Sequence, residues 1–180
     1  MPSGQYPQVL AGQSLTADLL EAMVPWQAWK TGNTPRASTV TLAADPDLSV
    51  PVAANATYEV TGILGYTAGG PVASGGAGGI NFTLAAPAGS SGGWSADGWG
   101  LGTTLVAGVF PFTAFATTTP PANSHSLNGS GGTQLSSKLE GTLITGSTPG
   151  SLVLWWCQAG ADGTATVLLA GSRLKARRTG

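Results

Sequence analysis

Charged side chains are scarce in this chain of 180 residues, because Asp, Glu, Lys and Arg together make up 8 % of it and the formal net charge is −1. Ordinary domains carry about 25 % charged residues. A basic surface broad enough for nucleic acid is therefore not expected. A surface with so few charges repels its neighbours weakly and tends to associate, which favours a structural subunit over a freely diffusing enzyme.

Cysteine and histidine occur once each, as Cys157 and His125. One cysteine cannot form an internal disulfide, and Cys157 lies in the most apolar run, where a buried thiol is commoner than a reactive one. His125 stands in a polar stretch and is expected to be a solvated loop residue. No apolar run approaches the roughly 18 residues of a membrane span. The chain does not open with a basic segment followed by an apolar one, so we expect neither a signal peptide nor a membrane partner.

Catalytic and metal-binding motifs are weak. Ser91 stands in a G-x-S-x-G pattern, but that pattern supports a hydrolase only on a strand-to-helix turn with a histidine base, and no helix pattern follows it. Asp45 and Asp47 flank Pro46 and are expected to form a turn between strands, since a metal site needs more clustered ligands. The sequence therefore predicts no enzyme, no cofactor and no metal.

Glycine (28) and proline (12), by contrast, are abundant and separate many short apolar runs. Such spacing is typical of all-β proteins, and we predict an antiparallel β-sandwich or jelly roll of about eight to ten strands. Residues 1–36 are expected to form an N-terminal arm and residues 37–180 the sandwich. The runs predicted to contain strands are 37–42, 48–52, 57–66, 80–85, 103–116, 135–145, 152–157 and 170–178.

The arm contains the one good helix pattern, Ser14–Val24, in which an apolar residue recurs every four positions. Pro25 ends the pattern. Two tryptophans follow, and they are either an intramolecular plug or an anchor on another protein. The candidate anchoring residues are Leu15, Leu19, Met23, Trp26 and Trp29.

The run Leu152–Cys157 is apolar at every position. Successive side chains of a strand point to opposite faces, so both faces of this strand are apolar and need cover. One face of an antiparallel sheet commonly meets solvent, and we therefore expect a second copy of the chain to cover the outer face. The predicted oligomer interface consists of Leu152, Val153, Leu154, Trp155 and Trp156, with Tyr58 from another strand.

The last run, Ala170–Arg178, follows a different pattern. Ser172, Leu174 and Ala176 alternate with three basic residues, which predicts a half-buried strand with a basic outer face. We favour a charged edge that blocks edge-to-edge pairing over a patch for an acidic partner, because a nucleic-acid surface needs more basic charge than this.

Several segments resemble structural proteins of phages that infect actinobacteria. They are Ala11–Leu20, Ser38–Leu42, Asp47–Val52, Ala54–Val60, Leu143–Trp155 and Ala170–Leu174. The strand order also resembles the jelly roll of tumour necrosis factor and complement globular heads, chiefly in the Tyr58 strand, the Gly150–Trp156 strand and the last strand. The resemblance implies a compact homotrimer displayed on a virion, whereas Thr67–Gly102 matches no motif of these proteins.

The expected function is that of a non-enzymatic virion structural protein. We expect a trimeric capsid decoration protein that is assembled in the host cytoplasm and held to capsid or tail proteins by its arm. The alternative is a tail-appendage module that binds a receptor or a carbohydrate. Trp94 and Trp99 stand in a glycine-rich stretch and could stack on the sugars of a host cell-surface glycan, although inward-pointing aromatic residues are commoner.

Overall fold

The computed structural model describes residues 11–17, 24–70, 78–98, 112–119, 121–129 and 131–180. Within these ranges the secondary structure consists of twelve β-strands. They are β1 (Trp26–Trp29), β2 (Thr34–Arg36), β3 (Ala43–Val52), β4 (Thr57–Thr67), β5 (Ile80–Ala85), β6 (Ser91–Ala96), β7 (Thr113–Ala114), β8 (His125–Leu127), β9 (Leu135–Ile144), β10 (Gly150–Gln158), β11 (Thr166–Leu168) and β12 (Arg173–Arg178).

The strands form two antiparallel sheets. The larger sheet has eight strands in the order β1-β12-β4-β9-β6-β7, with β11 paired to both β2 and β4. The smaller sheet has the order β3-β10-β5-β8. The prediction of an all-β, antiparallel, two-sheet architecture is therefore confirmed, while the jelly-roll connection order stays a prediction.

Strand β4 lies in the middle of the larger sheet, between β9 and β12. The side chains of Tyr58, Val60, Leu64 and Tyr66 alternate into the core and are at most 3 % exposed, as the period of two predicts. Burying each such side chain stabilises the fold by roughly 1.5–3 kcal/mol. The core between the sheets thus packs on β4, which is the strand that pairs with its neighbours over the greatest length.

Strand β10 holds the same central position in the smaller sheet, between β3 and β5. Leu152, Leu154 and Trp156 are fully buried against the larger sheet, whereas Val153 and Trp155 face outward and are partly exposed. This strand therefore has one core face, while cover of its outer face by a second copy stays a prediction. Its outer face is covered in part by the chain itself.

That cover is the segment 37–42, which was predicted to be a strand and is not one. The carbonyl oxygen of Val40 accepts from the Cys157 thiol at 3.2 Å, and that of Thr39 accepts from the Gln158 amide at 3.2 Å. Ser38 has a φ of 53°, a left-handed conformation that no strand uses. The alternating residues of this segment therefore cross β10 instead of forming a strand. Cys157 is buried, as predicted.

The Asp45–Asp47 segment was predicted to be a turn between strands and instead lies inside β3. The turn chemistry is still present, because Oδ1 of Asp45 accepts from the backbone N–H groups of Asp47 and Leu48 at 3.0 and 3.1 Å. The register with β10 shifts at this point, between Val153 and Trp155. A local turn thus becomes an irregularity within a continuous strand.

The arm also differs from its prediction. Residues 26–36, assigned to the arm, supply β1 and β2 of the larger sheet. The predicted helix falls largely on residues 18–23, which lie outside the described residues together with Leu19 and Met23, while Leu15 is described and 61 % exposed. The basic strand β12 is not an edge, because β1 pairs along its outer side.

Candidate interaction surface

Strand β1 forms one edge of the larger sheet and carries two exposed tryptophans. It pairs with β12 alone in the described part of the chain, with Trp26 opposite Ala176 and Trp29 opposite Arg173. The side chains of Trp26 and Trp29 are 58 % and 45 % exposed, and Val24 just before the strand is also exposed. We call these three residues the β1 edge surface. Trp26 and Trp29 stand three positions apart on the strand and therefore point to its opposite faces, so this edge presents one exposed aromatic ring on each face, and exposed apolar surface of this kind marks interaction sites.

The strand is held in place by backbone contacts at its carboxyl end. The Lys30 amide donates to the carbonyl of Ser172 at 2.8 Å, and the Gly171 amide donates to the carbonyl of Lys30 at 2.9 Å. The Arg173 guanidinium lies 5.3 Å from the centre of the Trp29 ring, a cation–π contact that contributes about 0.5–1 kcal/mol at an exposed site. The outward tryptophan is therefore supported by the neighbouring strand and remains accessible.

A groove of about 390 Å³ opens beside Trp26. Its lining includes Val52 of β3, Tyr58 of β4 and Arg178 of β12. The Tyr58 hydroxyl accepts from the Ala53 amide at 2.7 Å, so the tyrosine is fixed in place. The groove is mainly apolar, and it could take an apolar side chain of a partner whose backbone lies along β1.

The basic face of β12 is partly neutralised. Arg177 forms an ion pair with Glu59 on β4, and its Nε donates to the carboxylate at 2.7 Å. Arg173 is engaged by Trp29. These contacts engage two of the basic residues of β12, and because β1 pairs along its outer side, the expectation of a charged edge that blocks edge-to-edge pairing is wrong.

A second polar feature is buried where the two sheets meet. The Nζ of Lys30 lies 2.9 Å from Oδ2 of Asp45 and 3.1 Å from Oδ2 of Asp47, and the side chains of Lys30 and Asp45 are completely buried. The indole N–H of Trp156 donates to Asp45 at 3.1 Å. Lys30 was not predicted to belong to a site, because nothing in the sequence around Trp29-Lys30-Thr31 signals burial of the charge.

Arg36 also contacts the indole of Trp156. Its guanidinium carbon lies 4.1 Å from the centre of the Trp156 ring, and it donates to the carbonyls of Ala43 and Ala44 at 2.9 and 3.0 Å. Burial is the main cause that lowers the pKa of Arg36. Trp156 is therefore held between a guanidinium and a carboxylate rather than at an interface.

The predicted oligomer interface is divided by the fold. Leu152, Leu154, Trp156 and Tyr58 are packed in the chain's own core, and in this arrangement they cannot reach a second copy. The outward-facing residues of β10, Val153 and Trp155, keep accessible surface. These two are the part of the predicted interface that remains available.

The predicted ligand loop at Trp94 is a core strand. Trp94 lies in β6 and is fully buried, 5.7 Å from Phe82 between ring centres and edge-on to His125 at 4.7 Å. A residue in this position cannot stack on a sugar without unfolding, so the prediction for Trp94 is wrong. Trp99 lies outside the described residues.

His125 was predicted to be a solvated loop residue and is a strand residue of β8. One imidazole nitrogen, Nε2, lies 2.7 Å from the hydroxyl of Thr113. Burial lowers the pKa of His125 from its ordinary value of 6.5, so the folded chain favours the neutral ring. Ser91 begins β6 rather than standing on a strand-to-helix turn.

The described ranges contain no group of three or more His, Cys, Asp or Glu side chains that could hold a metal ion. In those same ranges, no helix has the length and apolar character to span a membrane.

Comparisons with known proteins give weak matches. No protein-family model matches the chain, and no curated protein matches it. A crystal structure of the infectious bursal disease virus VP2 subviral particle is 13 % identical with a TM-score of 0.19, covering 87 % of this chain and 42 % of that one. The structure of the Gt strain of the same virus is 12 % identical with a TM-score of 0.16, covering 87 % and 41 %. The chain spans about two fifths of the length of these chains.

Proposed function

We propose that the chain is a non-enzymatic structural protein of a virion and that the β1 edge surface attaches it to capsid or tail proteins. The virion context comes from the resemblance of its strand segments to phage structural proteins. The low charge supports a subunit that associates. Capsid decoration is the favoured position, because residues 26–36 belong to a compact sheet and the described part has no long shaft.

The observation that carries the proposal is the exposure of Trp26 and Trp29 on an edge strand. An edge strand presents free backbone N–H and C=O groups, and a partner strand can pair with them. Tryptophan is enriched among the residues that dominate binding energy at interfaces. An edge with aromatic anchors and an adjoining apolar groove therefore fits a protein partner in extended conformation.

The proposal also includes a homotrimer. Val153 and Trp155 would lie at its interface, since they are apolar, outward-facing and on the central strand of the smaller sheet. This surface is separate from β1, so one face can hold the copies together while the other binds the virion.

The attachment is tested by co-sedimentation of the purified chain with virion heads prepared without it. Trp26→Ser/Trp29→Ser is compared with wild type, and Phe112→Ser is the matched control, because Phe112 is an exposed aromatic residue beside β7 at the opposite edge of the sheet. We expect the double variant to lose at least tenfold in affinity, with the control unchanged. Equal binding by all three proteins would refute attachment through β1.

A further inference from the structure

The buried contact between Lys30 and Asp45 brings an amine against a carboxyl group in a dry site. The two side chains are fully buried, and Nζ lies 2.9 and 3.2 Å from the two carboxylate oxygens. Lysine is almost never fully buried unless it is paired. The exposed pair Lys138–Glu140, with both side chains more than half exposed, gives a natural contrast within the same chain.

The carboxyl group of Asp45 is polarised in an unsymmetrical way. Its Oδ1 accepts from the backbone N–H groups of Asp47 and Leu48 at 3.0 and 3.1 Å, while Oδ2 accepts from the Trp156 indole at 3.1 Å. Two fixed N–H donors on one oxygen form the arrangement that stabilises the oxyanion of a tetrahedral acyl intermediate. Oδ2, which within the described residues accepts only from the side chains of Lys30 and Trp156, is then the leaving oxygen.

A second carboxylate lies where a proton carrier is needed. Oδ2 of Asp47 is 3.1 Å from Nζ of Lys30, and its side chain is one third exposed, so it can exchange protons with solvent. Proton transfer by a positioned carboxylate needs this hydrogen-bond distance. The site therefore combines a nucleophile, a polarised acyl carbon and a general base.

We propose that Lys30 and Asp45 condense to an intramolecular amide. Nζ attacks Cγ of Asp45, the C–N bond forms, and the oxyanion on Oδ1 is held by the two backbone N–H groups. The C–Oδ2 bond then breaks and Oδ2 leaves as water. Of the three hydrogens on the Lys30 ammonium, one stays on the amide nitrogen and two leave with Oδ2, relayed by Asp47, so the reaction needs no co-reactant.

Two physical effects favour the amide over an ion pair. Holding the groups in contact replaces a bimolecular step by an intramolecular one, with effective molarities of about 10⁵–10⁸ M for well-oriented groups. Burying an ion pair costs several kcal/mol per ion, and condensation removes both charges. The amide joins the residue after β1 to β3 and so locks the larger sheet to the smaller one.

The test is the mass of the denatured wild-type chain. We expect a mass lower than the sequence value by one water. Lys30 is the first basic residue and Arg36 the second, and Lys138 follows next. Trypsin does not cleave after an acylated lysine, so the digest should contain residues 1–36 joined to residues 37–138. Lys30→Arg should have its full sequence mass, whereas the control Lys138→Arg should still lack one water.

A wild-type chain of full mass that releases free residues 1–30 with trypsin would overturn the proposal. A missing water located at Asp97–Gly98 or Asp162–Gly163 would overturn it as well, because Asp-Gly sequences lose water by forming succinimides. Both overturning results are read from the wild-type chain, so they do not depend on whether a variant folds.

Discussion

Four of the six tryptophans of this chain form two pairs with opposite surroundings. Trp94 and Trp156 are completely buried in β6 and β10, whereas Trp26 and Trp29 on β1 are about half exposed. β6 and β10 have neighbours on both sides, and β1 has one. Position in the sheet, together with the face of the strand in the case of the partly exposed Trp155 on β10, thus decides which tryptophans stabilise the fold and which remain available to a partner.

The strongest test of this division is Trp156→Ala. Removing a fully buried tryptophan leaves a cavity and costs roughly 3–5 kcal/mol, and here it also takes a donor from the Asp45 carboxylate. Urea unfolding followed by circular dichroism should show the loss. A cost under about 1 kcal/mol would mean that the site collapses easily and that Trp156 is not a core residue.

Lys30→Met should come next in size. It leaves the buried carboxyl group of Asp45 without Nζ, and an uncompensated buried charge costs roughly 3–5 kcal/mol. Lys138→Met is the matched control, because the Lys138–Glu140 pair is exposed, and it should unfold like wild type. Similar unfolding of the two variants would contradict the burial of Lys30.

The pH dependence of the free energy of unfolding tests the burial of the core around Trp94. Burial lowers the pKa of His125, which packs on that ring, from 6.5. The unfolded chain therefore binds more protons than the folded chain below about pH 6.5. The contribution of His125 to the free energy of unfolding should be complete above that pH and should be lost as the pH drops through it.

Urea unfolding at about pH 7.5 and about pH 5.5, on either side of the ordinary histidine pKa, measures this change. His125→Phe should reduce the difference between the two conditions. An equal difference in wild type and variant would show that His125 is solvated after all.

The smallest effect is expected at the edge. Trp26→Ser/Trp29→Ser should cost less than about 1 kcal/mol, because exposed positions contribute little and one cation–π contact is lost. The same urea experiment measures it. A cost as large as that of Trp156→Ala would place these tryptophans in the core and remove the basis of the attachment surface.

The strands that could be predicted from the sequence are those in which side-chain character alternates because the two faces of the strand have different surroundings. β4, β5 and β12 follow the predicted pattern, because one face of each packs on the opposite sheet. Segment 37–42 alternates equally well, yet it crosses β10 and is held by Thr39 and Val40. Local pattern cannot distinguish these cases, since the difference lies in what the segment meets.

The candidate site was predicted in part. Trp26 and Trp29 were identified from the sequence, but their support by Arg173 and β12 depends on pairing between distant strands. Trp94 was assigned to a loop because glycines surround it. Those glycines belong to β6 instead. Gly92 in this strand has a φ of 96°, and a Cβ at that position would collide with the Thr142 carbonyl.

The most direct test of the account is the mass of the full chain in solution, measured by light scattering at micromolar concentration. We predict a trimer for wild type and for Trp26→Ser/Trp29→Ser, and a folded monomer for Trp155→Ser. A wild-type monomer, or a Trp155→Ser protein that still forms a trimer, would contradict assembly through the outer face of β10.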